Sequence, residues 1–152
     1  MEMVFQPDIV VTDRDGSDIA LVVEVKTAIR DLGSAEDQLK KYMTAMKCPV
    51  GIIVSPDRLW LYEDRYLDSS DSIALVDSFD VSKVPGFAQF GSGRDSEFLF
   101  EEKVQSWLEG LHTEAGLREL TPELRKAVRM YVDPAILNGS IRAGHPRSLQ
   151  NA

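Results

Sequence analysis

Apolar and polar positions follow two different periods along this chain, and the switches between them mark out its elements. Ile9–Asp13 and residues 19–26 are short runs dense in β-branched and aliphatic side chains, the composition of strands. Between them lies Arg14-Asp15-Gly16-Ser17-Asp18, and Asp-Gly signals a hairpin turn. From residue 34 to 47 the period lengthens, with Ala35, Leu39, Met43 and Met46 at helical spacing. Gly33-Ser34 supplies an N-cap, Glu36 and Asp37 favour the first turn, and Lys47 closes the helix. Val50–Val54 reads as a buried strand, residues 58–62 alternate as the next, and residues 72–77 suggest another after a turn-rich stretch at 67–71.

Further on, residues 85–94 form a Gly-containing loop without the Gly-Lys-Ser/Thr ending of a phosphate cradle. Residues 96–110 carry apolar side chains at 100, 104, 107 and 108, continued at 111, which predicts a packed helix face. Helical spacing assigns Phe100 and Trp107 to the core rather than to base stacking. Thr121-Pro122 opens another helix that is expected to stop before Asp133-Pro134. Beyond it the chain is expected to be a loose tail over residues 136–152, after one domain over residues 1–135.

The hairpin has a chemical consequence. If the first two runs pair antiparallel about Asp15-Gly16, Asp8 lies opposite the end of the second run, where Glu24 and Lys26 share a face and Val25 takes the other. Two carboxylates held close repel each other unless a cation sits between them. Oxygen ligands with no His or Cys nearby favour Mg²⁺ or Mn²⁺ over Zn²⁺. Such an ion polarises phosphate oxygens and lowers the pKa of bound water. Lys26 is then placed to orient the attacking water, to help deprotonate it, or to neutralise charge in the transition state. A second Pro-Asp, Pro56-Asp57, has no acidic-x-Lys partner downstream and reads as a plain turn.

Pro7-Asp8 followed by Glu24-Val25-Lys26 resembles the motif of the PD-(D/E)xK nuclease superfamily. Gln38 and Tyr42, four apart on the following helix, are similar to the extra motif of its RecB-like branch, in which these side chains approach the substrate backbone. The similarity covers about residues 3–63 and looks most like the nuclease domains at the N-termini of type I restriction motor subunits and their stand-alone relatives. It implies an α/β or α+β fold, with a mixed central β-sheet flanked by helices, a restriction-endonuclease-like core and added strand and helices over residues 72–132. It implies a Mg²⁺- or Mn²⁺-dependent deoxyribonuclease in which Asp8, Glu24 and Lys26 are catalytic, Asp8 and Glu24 bind metal, and Gln38 and Tyr42 bind substrate. Such proteins usually carry a helix before the first strand, often with an acid that completes the metal site, and here only six residues precede Pro7. Glu2, Glu97, Glu101, Glu102 or a residue of a second subunit are the candidates to replace it.

Composition and charge qualify this picture. The 152 residues are 43% hydrophobic, enough for an ordinary core without staples. No apolar stretch approaches spanning length, which makes a cytoplasmic protein with no membrane partner the expectation. The single Cys48 is expected to be a buried small hydrophobe, and His112 and His145 lack zinc-ligand neighbours. With 25 acidic and 17 basic residues the net charge is −8, which repels a polyphosphate at long range. Residues 118–152 hold a local +3, including Arg125 and Arg129 four apart, where they are candidates to grip phosphates. Weak DNA affinity alone is expected, with a homodimer or a larger restriction or repair assembly supplying the rest. The alternative is a non-catalytic or partner-dependent nuclease-fold domain that acts in assembly or nucleic-acid binding.

Overall fold

Val22 and Val23 point to opposite faces of one strand, and both are buried, 0% and 1% exposed. A strand apolar on both sides belongs inside a sheet covered by two layers. A computed structural model, which describes residues 6–66, 72–90 and 94–144, has that arrangement. Among the described residues six strands form one sheet: β1 (Ile9–Asp13), β2 (Ile19–Val25), β3 (Val50–Val54), β4 (Arg58–Asp64), β5 (Ile73–Asp80) and β6 (Gly139–Ala143). Their order is β5-β4-β3-β2-β1-β6. β2 and β3 run parallel and the other neighbours antiparallel, so the sheet is mixed and the fold is α+β.

Helix α1 (Leu32–Met46) makes the crossover from β2 to β3 and covers one face. Leu39 and Met43 pack there with Val22, Ile53 and the fully buried Tyr62. The approach is close at Gly51, where a Cβ would stand 2.6 Å from the Met43 sulfur. Tyr62 donates its hydroxyl to Glu36 Oε2 at 2.5 Å, tying β4 to α1. Burial first, then this hydrogen bond and the carboxylate charge, push the Tyr62 phenol far above its usual value. Cys48 sits in the same cluster, and its burial pushes the thiol up to about 11, which matches the expected role of a small hydrophobe.

The opposite face carries the larger core. Phe100, Val104 and Leu108 of α2 (Arg94–Gly110), with Leu111 just beyond, pack against Ile9, Val11 and Val23. Phe87 meets Phe100 and Trp107 edge-on at 5.2 and 5.3 Å between ring centroids, so these two aromatic residues of α2 belong to the core. After α2 come α3 (Glu114–Arg118), α4 (Pro122–Ala127), a π-helical segment over Val128–Val132 and α5 (Asp133–Leu137).

Several local expectations are corrected. Asp31, not Ser34, is the N-cap of α1, and its side chain accepts from the Ser34 N–H at 3.1 Å. The helix therefore starts earlier, and Glu36 and Asp37 fall outside its first turn. Lys47 does close it, in the left-handed region at φ 54°. β5 runs on to Asp80. Thr121 and Pro122 open α4 as expected, but the chain does not stop at Asp133-Pro134. Pro134 falls in the first turn of α5, where a missing N–H costs no helical hydrogen bond.

The largest correction concerns the tail. Residues 139–143, expected to be loose, form β6 and pair with β1 from Ile9↔Ala143 to Asp13↔Gly139. A bare β1 edge would leave a row of backbone groups unpaired, and β6 satisfies them. The contact continues past the strand, where the Gly144 N–H donates to the Asp8 carbonyl at 2.9 Å. A Cβ at Gly144 would lie 2.1 Å from the Pro7 carbonyl oxygen, so only glycine permits this approach. Glu2, His145 and the expected turn at 67–71 lie outside the described residues.

Candidate active site

The β1–β2 hairpin positions the first two site residues. Gly16 takes φ 77° in the turn, a conformation that disfavours side chains. The strands pair with Ile9 opposite Val23, and one further step of this register sets Asp8 opposite Glu24. Both are buried, 8% and 5% exposed. Asp8 Oδ2 accepts the Val25 backbone N–H at 2.7 Å, which locks its carboxyl against the second strand. Lys26 lies just past the end of β2, its backbone N–H held by the Val54 carbonyl at 2.9 Å. Its ammonium stands 4.0 Å from Glu24 Oε2. The three residues singled out in the sequence converge.

The structure adds a third carboxyl. Glu101 of α2 is 3% exposed, and its charge acts on Glu24. Of the three acids of this helix proposed as replacements, Glu97 is half-buried and Glu102 exposed. A signal for Glu101 was present in the sequence. Positions 101, 104, 108 and 111 form one helical stripe, and an acid on an otherwise apolar stripe is out of place unless it has a partner inside.

Electrostatics follow from this crowding. The Glu24 carboxyl is pushed up to about 10, first by burial, then by its hydrogen bond with Asp8 and the charges of Asp8 and Glu101, while Lys26 pulls the other way. The single ammonium of Lys26 does not offset the burial of Glu24 and the two acids near it, which favours the protonated form of Glu24, and a bound cation would favour the ionised form instead. Its donor set is all oxygen, which fits a hard divalent ion. Among the described residues no group of three or more His, Cys, Asp or Glu side chains is arranged to hold a metal as it stands.

Gln38 and Tyr42 part company. Gln38 is exposed and lines an open groove that begins at Lys26. Tyr42, one turn further along α1, is half-buried and packs against the Val22–Tyr62 cluster, outside the groove lining. Burial and then the nearby Cys48 raise its phenol. The Arg125 guanidinium donates to the Leu117 and Leu120 carbonyls at 2.9 and 3.0 Å, so it closes the end of α3. Pro56-Asp57 makes a turn as expected, with Ser55 N–H donating to the Arg58 carbonyl at 2.8 Å and Ser55 Oγ bonded to Asp57 Oδ1 at 2.7 Å. Among the described residues, no helix is long and apolar enough to cross a membrane. Comparisons with protein-family models, curated proteins and solved structures found no match.

Proposed function

We propose that this chain is a metal-dependent nuclease that hydrolyses phosphodiester bonds of DNA on a restriction-endonuclease-like core. The observation that carries the reading is the cluster of three buried carboxyls, Asp8, Glu24 and Glu101, beside Lys26 at one end of the sheet. Burying uncompensated carboxyls is costly, and a scaffold without a cationic ligand has no use for the arrangement. Glu101 takes the part that an acid on a leading helix plays in the resembling family.

In this reading Asp8, Glu24 and Glu101 hold Mg²⁺ or Mn²⁺, which supplies charge stabilisation at the phosphate and a more acidic water. Lys26, 37% exposed at the mouth of the cluster, meets the substrate side, where its ammonium orients the attacking water or offsets charge on the phosphate. Gln38 contacts the strand backbone, and Tyr42 supports it from the packed side of the same helix. The net charge of −8 favours low intrinsic affinity, with a second copy or a larger restriction or repair assembly delivering the DNA. A cytoplasmic location belongs to the same proposal.

A second reading is also supported by the net charge of −8 and by the raised pKa of Glu24, which favours a neutral carboxyl there. In it the domain keeps the scaffold and acts in assembly. Incubating the protein with single-stranded, duplex, flapped and branched DNA in Mg²⁺ or Mn²⁺ separates the two. Cleavage that vanishes in Lys26→Ala supports the nuclease, and intact DNA throughout supports the assembly domain.

A further inference from the structure

The loop between β2 and α1 forms one wall of a groove of about 280 Å³ that opens directly from Lys26. Lys26 joins it to the carboxyl cluster, its ammonium 4.0 Å from Glu24 Oε2, and Gln38 also lines it. The lining is partly apolar, from Ile29 and Ala35, while Arg30, Asp31 and Ser34 add polar groups. This mixture suits a sugar-phosphate chain, whose sugars are partly apolar and whose phosphates carry charge.

Arg30 is the residue that gives the groove its sign. It is exposed, and among the described residues no acid lies within ion-pair distance of it. The neighbouring Asp31 is committed elsewhere, since its Oδ1 accepts the Ser34 N–H as the cap of α1. Lys26 and Arg30 are thus two cations against the single acid, Asp31, in the groove lining, a local excess of positive charge on a chain of net charge −8. A guanidinium on a loop with no acid paired to it among the described residues is matched to phosphate, which it can grip through two parallel hydrogen bonds.

We propose that this groove seats a single polynucleotide strand beside the bond to be cut, with Arg30 as the positioning residue that binds a non-scissile phosphate. The proposal rests on the nuclease reading for the identity of the strand. One strand, rather than a duplex, fits a site walled by a single loop and one helix. Arg30 then supplies register, and Lys26 acts at the adjacent phosphate.

The test is fluorescence anisotropy with a labelled single strand of about 16 nucleotides in Ca²⁺, with strand integrity checked on a gel, alongside cleavage kinetics in Mg²⁺. Arg30→Ala is expected to weaken binding about tenfold and to make the salt dependence shallower by about 0.7, one phosphate's worth. Arg14→Ala, at an exposed arginine of the β1–β2 turn, is expected to change neither. In cleavage, Arg30→Ala raises KM with kcat kept. Binding by Arg30→Ala equal to wild type overturns the groove assignment, and does so without touching the nuclease reading if cleavage persists. Binding lost in Arg30→Ala by a protein that cuts nothing upholds the groove and removes the nuclease. Failure of the wild type to bind any strand overturns the proposal.

Discussion

The Glu24 carboxyl is hydrogen-bonded to Asp8 across the β1–β2 pair and holds its proton up to about pH 10. Three structural choices lead to that bond: a turn whose register sets the two residues opposite each other, a backbone N–H that fixes Asp8, and a helix that brings Glu101 near them.

Stability of the metal-free protein should depend on that proton. Glu24 titrates near 10 in the fold and near 4.5 in an ordinary environment, so the folded state binds the proton more tightly. The resulting stabilisation is fully present below about pH 4.5 and is lost as pH rises toward 10. Thermal melts in EDTA are expected to show a lower melting temperature at about pH 9 than at about pH 5. Glu24→Gln removes much of this slope and melts higher at the alkaline end. Identical slopes for the two proteins would mean that Glu24 is not the proton's home.

Metal should displace the same proton. Calorimetry with Mn²⁺ at neutral pH is expected to give saturable binding whose heat changes with the ionisation enthalpy of the buffer, the sign of a released proton. Asp8→Asn and Glu101→Gln should each weaken it about tenfold or more. Binding indifferent to Glu101 would remove that residue from the ligand set.

The bond from Tyr62 to Glu36 ties α1 to the sheet. Tyr62→Phe keeps the ring in its pocket and loses the hydroxyl, which should cost about 1–2 kcal/mol in a denaturant titration. No measurable loss would show that the contact is not maintained in solution.

Arg125 and Arg129 should behave differently despite their helical spacing. Arg125→Ala removes the guanidinium donors to the Leu117 and Leu120 carbonyls, of which Leu117 keeps the Leu120 N–H, and should destabilise the fold by about 1–2 kcal/mol. Arg129, exposed on the π-helical segment, should be replaceable by Ala within about 0.5 kcal/mol. Equal effects would argue against the helix-closing role of Arg125.

Much of this was readable from sequence because it depends on local periodicity. Alternation and one Asp-Gly turn suffice to bring Asp8, Glu24 and Lys26 together, and helical spacing suffices to bury Leu39 and Phe100. What local pattern could not supply is pairing over long separations. β6 is a short strand with modest apolar content, and only the open edge of β1, some 130 residues earlier, makes it one. Glu101 is one of three candidate acids on its helix until the stripe it shares with Val104 and Leu108 is set against the sheet. Tyr42 looked equivalent to Gln38 by spacing, yet one turn of helix carries it away from the groove. Arg30 carries no motif and gains its meaning from the loop's position beside Lys26.

The most direct measurement of the central claim compares DNA cleavage in Mg²⁺ or Mn²⁺ by wild type, Glu101→Gln and Glu102→Gln, each checked for folding by circular dichroism. The account predicts that Glu101→Gln falls about a hundredfold or more, while Glu102→Gln, the exposed neighbour one residue on, cuts as the wild type does. Glu101→Gln cutting at the wild-type rate, or a wild type that leaves every DNA intact, would contradict it.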